Sequence, residues 1–98
     1  MLGLEASRRI VEMFRTSLAD RRTALHSALH AGDLEAVRRV GHAIKGLAAS
    51  SGASLLAAAG ESVQHADDAS IDEMRVLVDR LDVVAEVADS EVAGAWQV

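Results

Sequence analysis

The sequence predicts an all-α protein, and three observations support this. Apolar residues recur at spacings of three and four along the whole chain, which places them on one face of a helix. Half of the residues are apolar, yet only Phe14 and Trp96 are aromatic. No proline occurs in the 98 residues. This length and composition favour one domain of helices packed through small side chains, because a sheet would need more aromatic and β-branched residues.

The N-terminal third carries the first apolar stripe, which consists of Ile10, Phe14, Leu18, Leu25 and Leu29. Neither glycine nor proline interrupts residues 4 to 31, so one long helix could form there. However, the sequence SLAD at residues 17–20 fits a loose capping box and indicates a break near Thr16. We therefore predict a short first helix over about 5–15 and a second helix over about 18–31.

Glycine and capping residues mark the later helix boundaries. Gly32 suits a helix C-terminus and Asp33 the next N-cap, so a helix is predicted from Leu34 to about residue 51. Gly52 ends it, and a helix over about 54–66 follows. After a polar link at 67–69, Ser70 and Glu73 form a capping box before a last helix that extends to about residue 88.

Connections of two to four residues force neighbouring helices to run antiparallel. The predicted architecture is an antiparallel up-down four-helix bundle with a short additional N-terminal helix. The fourth helix presents a core stripe formed by Met74, Leu77, Leu81, Val84 and Ala88. Residues 1–98 are expected to form a single domain with its core in about 5–90.

Composition makes several classes of function improbable. The net charge of −5 argues against a nucleic-acid surface. The absence of cysteine excludes disulfides, thiolate metal sites and thiol nucleophiles. No apolar run approaches the roughly 20 residues of a membrane span, and the N-terminus does not resemble a signal peptide. We expect a cytoplasmic monomer without nucleic-acid binding or membrane insertion.

The stretch GHAIKGLAASSGA at residues 41–53 contains the residues of greatest interest. When this helix is unrolled at about 100° per residue, its core stripe lies opposite His42. That stripe consists of Val37, Val40, Ile44, Leu47, Ala48 and Ser51. His42 is therefore predicted in the middle of the exposed face. Arg38, Arg39, Lys45 and Gly46 surround it on this face, and Ala49 lies one turn further on.

The neighbours of His42 favour a function over an incidental surface histidine. Gly46 costs about 1 kcal/mol relative to alanine in a helix interior, and an exposed position does not need it for packing. Close approach by another molecule would explain it. Arg38, Arg39 and Lys45 form a local positive patch that would stabilise a dianionic group attached to the imidazole. These features together suggest a phosphoryl acceptor.

The sequence HAIKGLAASSGA resembles the signature of histidine-containing phosphotransfer (HPt) domains of bacterial phosphorelays, roughly H-x-L-K-G-S-x-x-x-x-G-A. His42, Lys45, Gly46, Gly52 and Ala53 occupy its most characteristic positions, and Ile44 is close to its leucine. The preceding ALHAGDLEAVRRVGHAIKG also resembles the family, and the likeness spans about residues 10–88. The helical bundle of that family is the fold predicted above.

The resemblance implies a role for each matching residue. His42 would be phosphorylated, Lys45 would neutralise the phosphoryl group, and Gly46 would leave room for an incoming receiver domain. Gln64, at the position of a glutamine found in some members, would contact the imidazole or the phosphoryl group. Arg38, Arg39 and Ala49 would belong to the receiver-docking face.

Two positions depart from the family pattern. Leu47 replaces a residue that is commonly small or hydroxylated, and Asp68 stands near a point where some relatives carry a basic residue. Because Leu47 faces the core in our unrolling, its change puts a polar contact in doubt rather than the transfer itself.

The implied reaction is reversible transfer between a receiver aspartyl phosphate and His42. The domain would be a phosphocarrier without autonomous kinase or phosphatase activity and without a cofactor of its own, and Mg²⁺ would be supplied in the receiver active site. Its partners would be response-regulator receiver domains and a hybrid sensor histidine kinase.

Two other interpretations remain open at the level of sequence. A phosphorylation-independent helical adapter could keep the fold without transferring phosphoryl groups. His26 and His30, spaced i, i+4, could instead hold Zn²⁺, although no third ligand is evident near them and solvated surface histidines are the more economical interpretation. Trp96, in the C-terminal tail, would cap the bundle or belong to a longer segment.

Overall fold

The structure is a computed structural model that describes the backbone of residues 2–94 and the side chains of residues 7–94. Within these residues it contains four helices and no strand: α1 (Leu2–His30), α2 (Leu34–Ser50), α3 (Ser54–Gln64) and α4 (Ile71–Gly94). Each helix packs on the next, and α4 returns to α1. The predicted all-α fold is confirmed, whereas Trp96 lies outside the described residues. None of the described helices is both long and apolar enough to cross a membrane.

The helix boundaries follow the capping residues that the sequence indicated. Gly32 has φ +73° and Gly52 has φ +75°, the left-handed region that favours glycine after a helix. The Asp33 carboxylate accepts a hydrogen bond from the Ala36 nitrogen at 3.0 Å and caps α2. Ser70 and Glu73 each accept a bond from the other's backbone nitrogen at 3.1 Å, which completes the capping box of α4.

The predicted break near Thr16 is not present, because α1 continues through that position from Leu2 to His30. No separate short helix therefore precedes the bundle within the described residues. Phe14 and Leu18, one turn apart on either side of Thr16, are both buried, so one apolar stripe continues across the expected boundary. The capping tendency of Ser17 and Asp20 did not outweigh the packing of this apolar stripe.

The core lies between the four helices and consists of Phe14, Leu18, Leu25, Val37, Ile44, Ala48, Leu56, Val63, Met74, Val78, Leu81, Ala85 and Ala88. Ile10, predicted to belong to the first stripe, is instead 66% exposed. It lies five residues before Arg15, which pairs with Asp89 of α4, so Ile10 is level with the end of α4 near residue 94. Among the described residues α4 ends at this level, so little of its length remains to cover Ile10.

Ion pairs join α1 to α4 along their exposed edge. The Arg15 guanidinium donates a bidentate pair of hydrogen bonds to the Asp89 carboxylate at 2.9 and 3.1 Å. The Arg22 Nε donates one to the Asp82 carboxylate at 3.1 Å. The His26 Nε2 lies 2.6 Å from the second Asp82 oxygen. Because residue numbers rise on α4 as they fall on α1, these two helices run antiparallel, as an up-down bundle requires.

Candidate functional site

His42 lies on the solvent side of α2, opposite the core residues of that helix. Val37, Ile44 and Ala48 are fully buried, whereas His42 is exposed. The helical periodicity therefore predicted the orientation of the histidine correctly. An exposed imidazole on a regular helix held by its packed opposite face can be approached by another protein without rearrangement of the bundle.

Gly46, one turn after His42, faces open space. A Cβ built at this position would meet no heavy atom of the surrounding structure within 4 Å. Its dihedral angles lie in the ordinary helical region, so the backbone does not require a glycine there. Neither packing nor backbone strain within the described structure explains a glycine at this position.

A shallow depression contains His42 and is lined by Glu35, Arg38, Arg39, His42 and Gln64. The structure thus brings Gln64, 22 residues away in sequence, to the same surface as the histidine. Gln64 is partly buried, and its Oε1 is buried with no hydrogen-bond partner within the described part of the chain. An amide in this position can bond to a group that arrives at the imidazole.

The cations around His42 are not the net positive patch that the sequence suggested. Each one lies near a carboxylate: Arg38 near Asp67 at 3.8 Å, Arg39 near Glu35 at 3.3 Å, and Lys45 near Glu61 at 3.4 Å. Three positive charges are thereby balanced by three negative ones. Glu61 and Asp67 could not be placed beside these cations from the sequence, because they come from α3 and the connection after it.

Gly41 and Gly60 allow α2 and α3 to pack closely beneath this surface. Neither was singled out from the sequence. A Cβ on Gly60 would lie 2.8 Å from both the Gly41 oxygen and the Lys45 nitrogen. A Cβ on Gly41 would lie 3.1 Å from the Gln64 nitrogen and 2.7 Å from the Val63 side chain. The two backbones are therefore in contact next to His42, which places Glu61 beside Lys45 and Gln64 beside the histidine.

One sequence signal could have revealed this contact. Gly41 and Gly60 both fall inside predicted helices, where each costs about 1 kcal/mol relative to alanine, as Gly46 does. Gly41 and Gly60 are buried whereas Gly46 is exposed. Helix-interior glycines thus indicated special positions, but only the fold separates those that permit helix packing from the one that is open to solvent.

The other residues that the sequence singled out lie on the His42 face, against the core or on another edge of the bundle. Ala49 is exposed on the same face as His42, Leu47 packs partly against the core, and Asp68 is exposed. His26 is engaged by Asp82 on the α1–α4 edge. Among the described residues, no group of three histidine or carboxylate side chains is arranged to hold a metal ion.

These observations define a small helical bundle with an exposed histidine flanked by a glycine, three cations and an amide. Comparison with protein families gives a match to the Hpt domain over residues 9–90, most of the chain. The chain therefore belongs to the Hpt domain family, whose members are phosphocarrier modules of two-component phosphorelays. Searches of the curated proteins and of the solved structures find no match.

Proposed function

We propose that this domain carries phosphoryl groups on His42, accepting them from a receiver-domain aspartyl phosphate and passing them to another receiver. The observation that best supports this proposal is the position of His42 at the centre of an exposed helical face in a chain of the Hpt family. His42 combines this exposure with three nearby cations on its own helix.

The proposed step balances without a further reactant. An unprotonated ring nitrogen of His42 attacks phosphorus with its lone pair, and an N–P bond forms. The P–O bond to the aspartyl group breaks, and its electron pair stays on the receiver carboxylate. The reverse step regenerates the aspartyl phosphate. Since phosphoryl transfer depends mainly on positioning and charge stabilisation, a rigid helix that presents the nucleophile meets its principal requirement.

Each surrounding residue has an assigned part in this proposal. Lys45 balances charge on the phosphoryl oxygens. The Gln64 amide either accepts a hydrogen bond from the ring N–H of His42 at its Oε1 or donates one from its Nε2 to a phosphoryl oxygen. Gly46 lets the receiver surface approach. Arg38, Arg39 and Ala49 form the rim on which the receiver docks.

The proposal also covers the reaction partners. Mg²⁺ would belong to the receiver active site, and this chain would have neither a cofactor nor kinase or phosphatase activity of its own. A hybrid sensor histidine kinase and response-regulator receivers are the proposed partners of a monomeric domain, formed by residues 1–98, in the bacterial cytoplasm.

Incubation with a panel of purified, aspartyl-phosphorylated receiver domains tests the proposal. At least one receiver should label the parent domain, and the label should be acid-labile and alkali-stable, as an N–P bond requires. His42→Gln should abolish labelling. His30→Gln, which alters an exposed histidine on α1, should label as the parent does.

Two results would contradict the proposal. Persistent labelling of the His42→Gln variant would place the phosphoryl group elsewhere. If none of the receivers labels the domain although one of them binds it, the phosphorylation-independent adapter would be supported instead.

A further inference from the structure

Lys45 is held by a carboxylate of the neighbouring helix. Its Nζ donates a hydrogen bond to the Glu61 Oε1 at 3.4 Å, which links α2 to α3. The two side chains are 36% and 54% exposed, so water reaches both. A pair of this kind is weak and exchanges readily when a stronger anion is present.

The backbone fixes the two ends of this pair close together. Gly60, the residue before Glu61, packs so tightly on α2 that a Cβ there would lie 3.1 Å from the Lys45 Cα. Any rearrangement of the pair must therefore occur in the side chains. A lysine side chain with four rotatable carbons can do this, because its ammonium can leave Glu61 without movement of either helix.

A phosphoryl group on His42 would arrive at a surface where every nearby cation already has a partner. Arg38 lies near Asp67 and Arg39 near Glu35, at 3.8 and 3.3 Å. A dianion at His42 must compete with these carboxylates for a counter-charge. Lys45 is one helical turn from His42, a spacing at which two side chains on a helix meet.

We propose that Glu61 competes with the phosphoryl group for Lys45. In the unphosphorylated domain the Lys45 ammonium pairs with the Glu61 carboxylate. In the phosphorylated domain it pairs with the phosphoryl oxygens instead. This inference rests on the proposed function. Its consequence is that Glu61 lowers retention of the phosphoryl group, so that the carrier gives it up more easily to the next receiver.

The test is the equilibrium between the domain and the receiver that labels it fastest. Glu61→Gln removes the competing charge at nearly constant shape and should shift the equilibrium constant about two- to five-fold toward phosphorylated His42. In a Lys45→Ala background the same substitution should have a smaller effect, because only direct repulsion between Glu61 and the phosphoryl group remains. Asp79→Asn, an exposed carboxylate on α4, is the matched control and should leave the equilibrium unchanged.

Three outcomes would overturn the inference. An unchanged or lowered retention in Glu61→Gln would mean that Glu61 is inert or orients Lys45 productively. If Glu61→Gln raised phosphoryl retention equally in the Lys45→Ala background, the effect would come from direct repulsion between Glu61 and the phosphoryl group and not from competition for Lys45. If Asp79→Asn raised phosphoryl retention by the same amount, the effect would come from the change in net charge and not from the position of Glu61. These results leave the proposed function intact, whereas a parent domain that no receiver labels contradicts both.

Discussion

Gly60 of α3 packs directly on the backbone of Lys45 in α2. A Cβ at Gly60 would lie 2.8 Å from the Lys45 nitrogen, closer than real Cβ atoms approach. The contact is made by two main chains, neither of which can rotate away as a side chain could. This relationship holds α3 in the position that brings Glu61 and Gln64 to the surface around His42.

Alanine substitutions at two helix-interior glycines should have opposite effects on stability. Gly60→Ala inserts a methyl group against backbone and should lower the free energy of unfolding by about 1–3 kcal/mol. Gly46→Ala meets open space and should raise it by up to about 1 kcal/mol, since alanine restricts the unfolded chain. Urea unfolding of both variants beside the parent measures the difference.

The two variants control for each other, because both replace a helical glycine by alanine. Equal stabilisation by both would show that α2 and α3 separate without penalty, and the close contact at Gly60 would then not limit their packing. Loss of stability in Gly46→Ala would show that its surroundings are not open.

Local sequence signals predicted the end of α1, both ends of α2, the starts of α3 and α4, and the face of His42. The end of α4, expected at about residue 88, lies instead at Gly94. Gly32, Asp33, Gly52 and Ser70 act through their own backbone or that of near neighbours, so their effects can be recognised without the fold. The exposure of His42 followed from the helical period alone.

Features that depend on contacts between distant residues were not predicted. The break expected near Thr16 was wrong because the apolar stripe of α1 packs continuously on its partners. The expected positive patch was wrong because Glu61 and Asp67 reach the cations from across the α2–α3 interface. Helical periodicity gives the orientation of a side chain on its helix but does not identify residues of another helix that lie beside it.

The Arg15–Asp89 pair should make stability sensitive to acid. The hydrogen bond from Arg15 lowers the pKa of Asp89 below its ordinary value. The folded protein therefore keeps this carboxylate charged at pH values where the unfolded chain is protonated. The contribution is complete above the unfolded pKa of about 3.9 and is lost as pH falls through the lower folded pKa.

Melting temperatures of the parent and the Asp89→Asn variant are measured between about pH 5 and pH 2. The two melting temperatures should differ most near pH 5 and become equal near pH 2. Asp79→Asn, exposed on the same helix and without an ion pair within the described residues, is the control and should follow the parent curve. A constant difference across the range would show that Asp89 acts through packing and not through its charge.

Gln64 should matter more for transfer than for folding. Its Oε1 is buried without a partner in the described part of the protein, and an unpaired buried polar group costs about 1–3 kcal/mol. Gln64→Met keeps the volume and removes the amide, so the melting temperature should be unchanged or higher. If the amide contacts the transferred group, transfer should slow by about ten- to a hundredfold, since a hydrogen bond to a charged group contributes about 1.5–3 kcal/mol.

Parental transfer rates in the Gln64→Met variant would show that the amide takes no part. A fall in melting temperature would show that Gln64 has a structural partner in solution. Rates and melts measured on the same preparations therefore separate the two roles.

Gly46→Gln should separate folding from function most sharply. No atom of the surrounding structure lies within 4 Å of a Cβ at this position, so the longer side chain can project into solvent and leave the bundle folded. The receiver, however, must bring its aspartyl phosphate within about 3–3.5 Å of a His42 nitrogen. A glutamine one turn from His42 would hold the two surfaces apart, and a misplacement of about 1 Å can slow a reaction about a hundredfold.

The variant should therefore match the parent in circular dichroism and thermal melting while phosphotransfer falls by about a hundredfold. Ser90→Gln, which lengthens an exposed side chain on α4, is the matched control and should transfer normally because α4 lies diagonally across the bundle from α2. Unfolding of Gly46→Gln would mean that this glycine serves packing. If the variant folded and transferred normally, Gly46 would lie outside the interface with the receiver. The receiver would then approach His42 from another side.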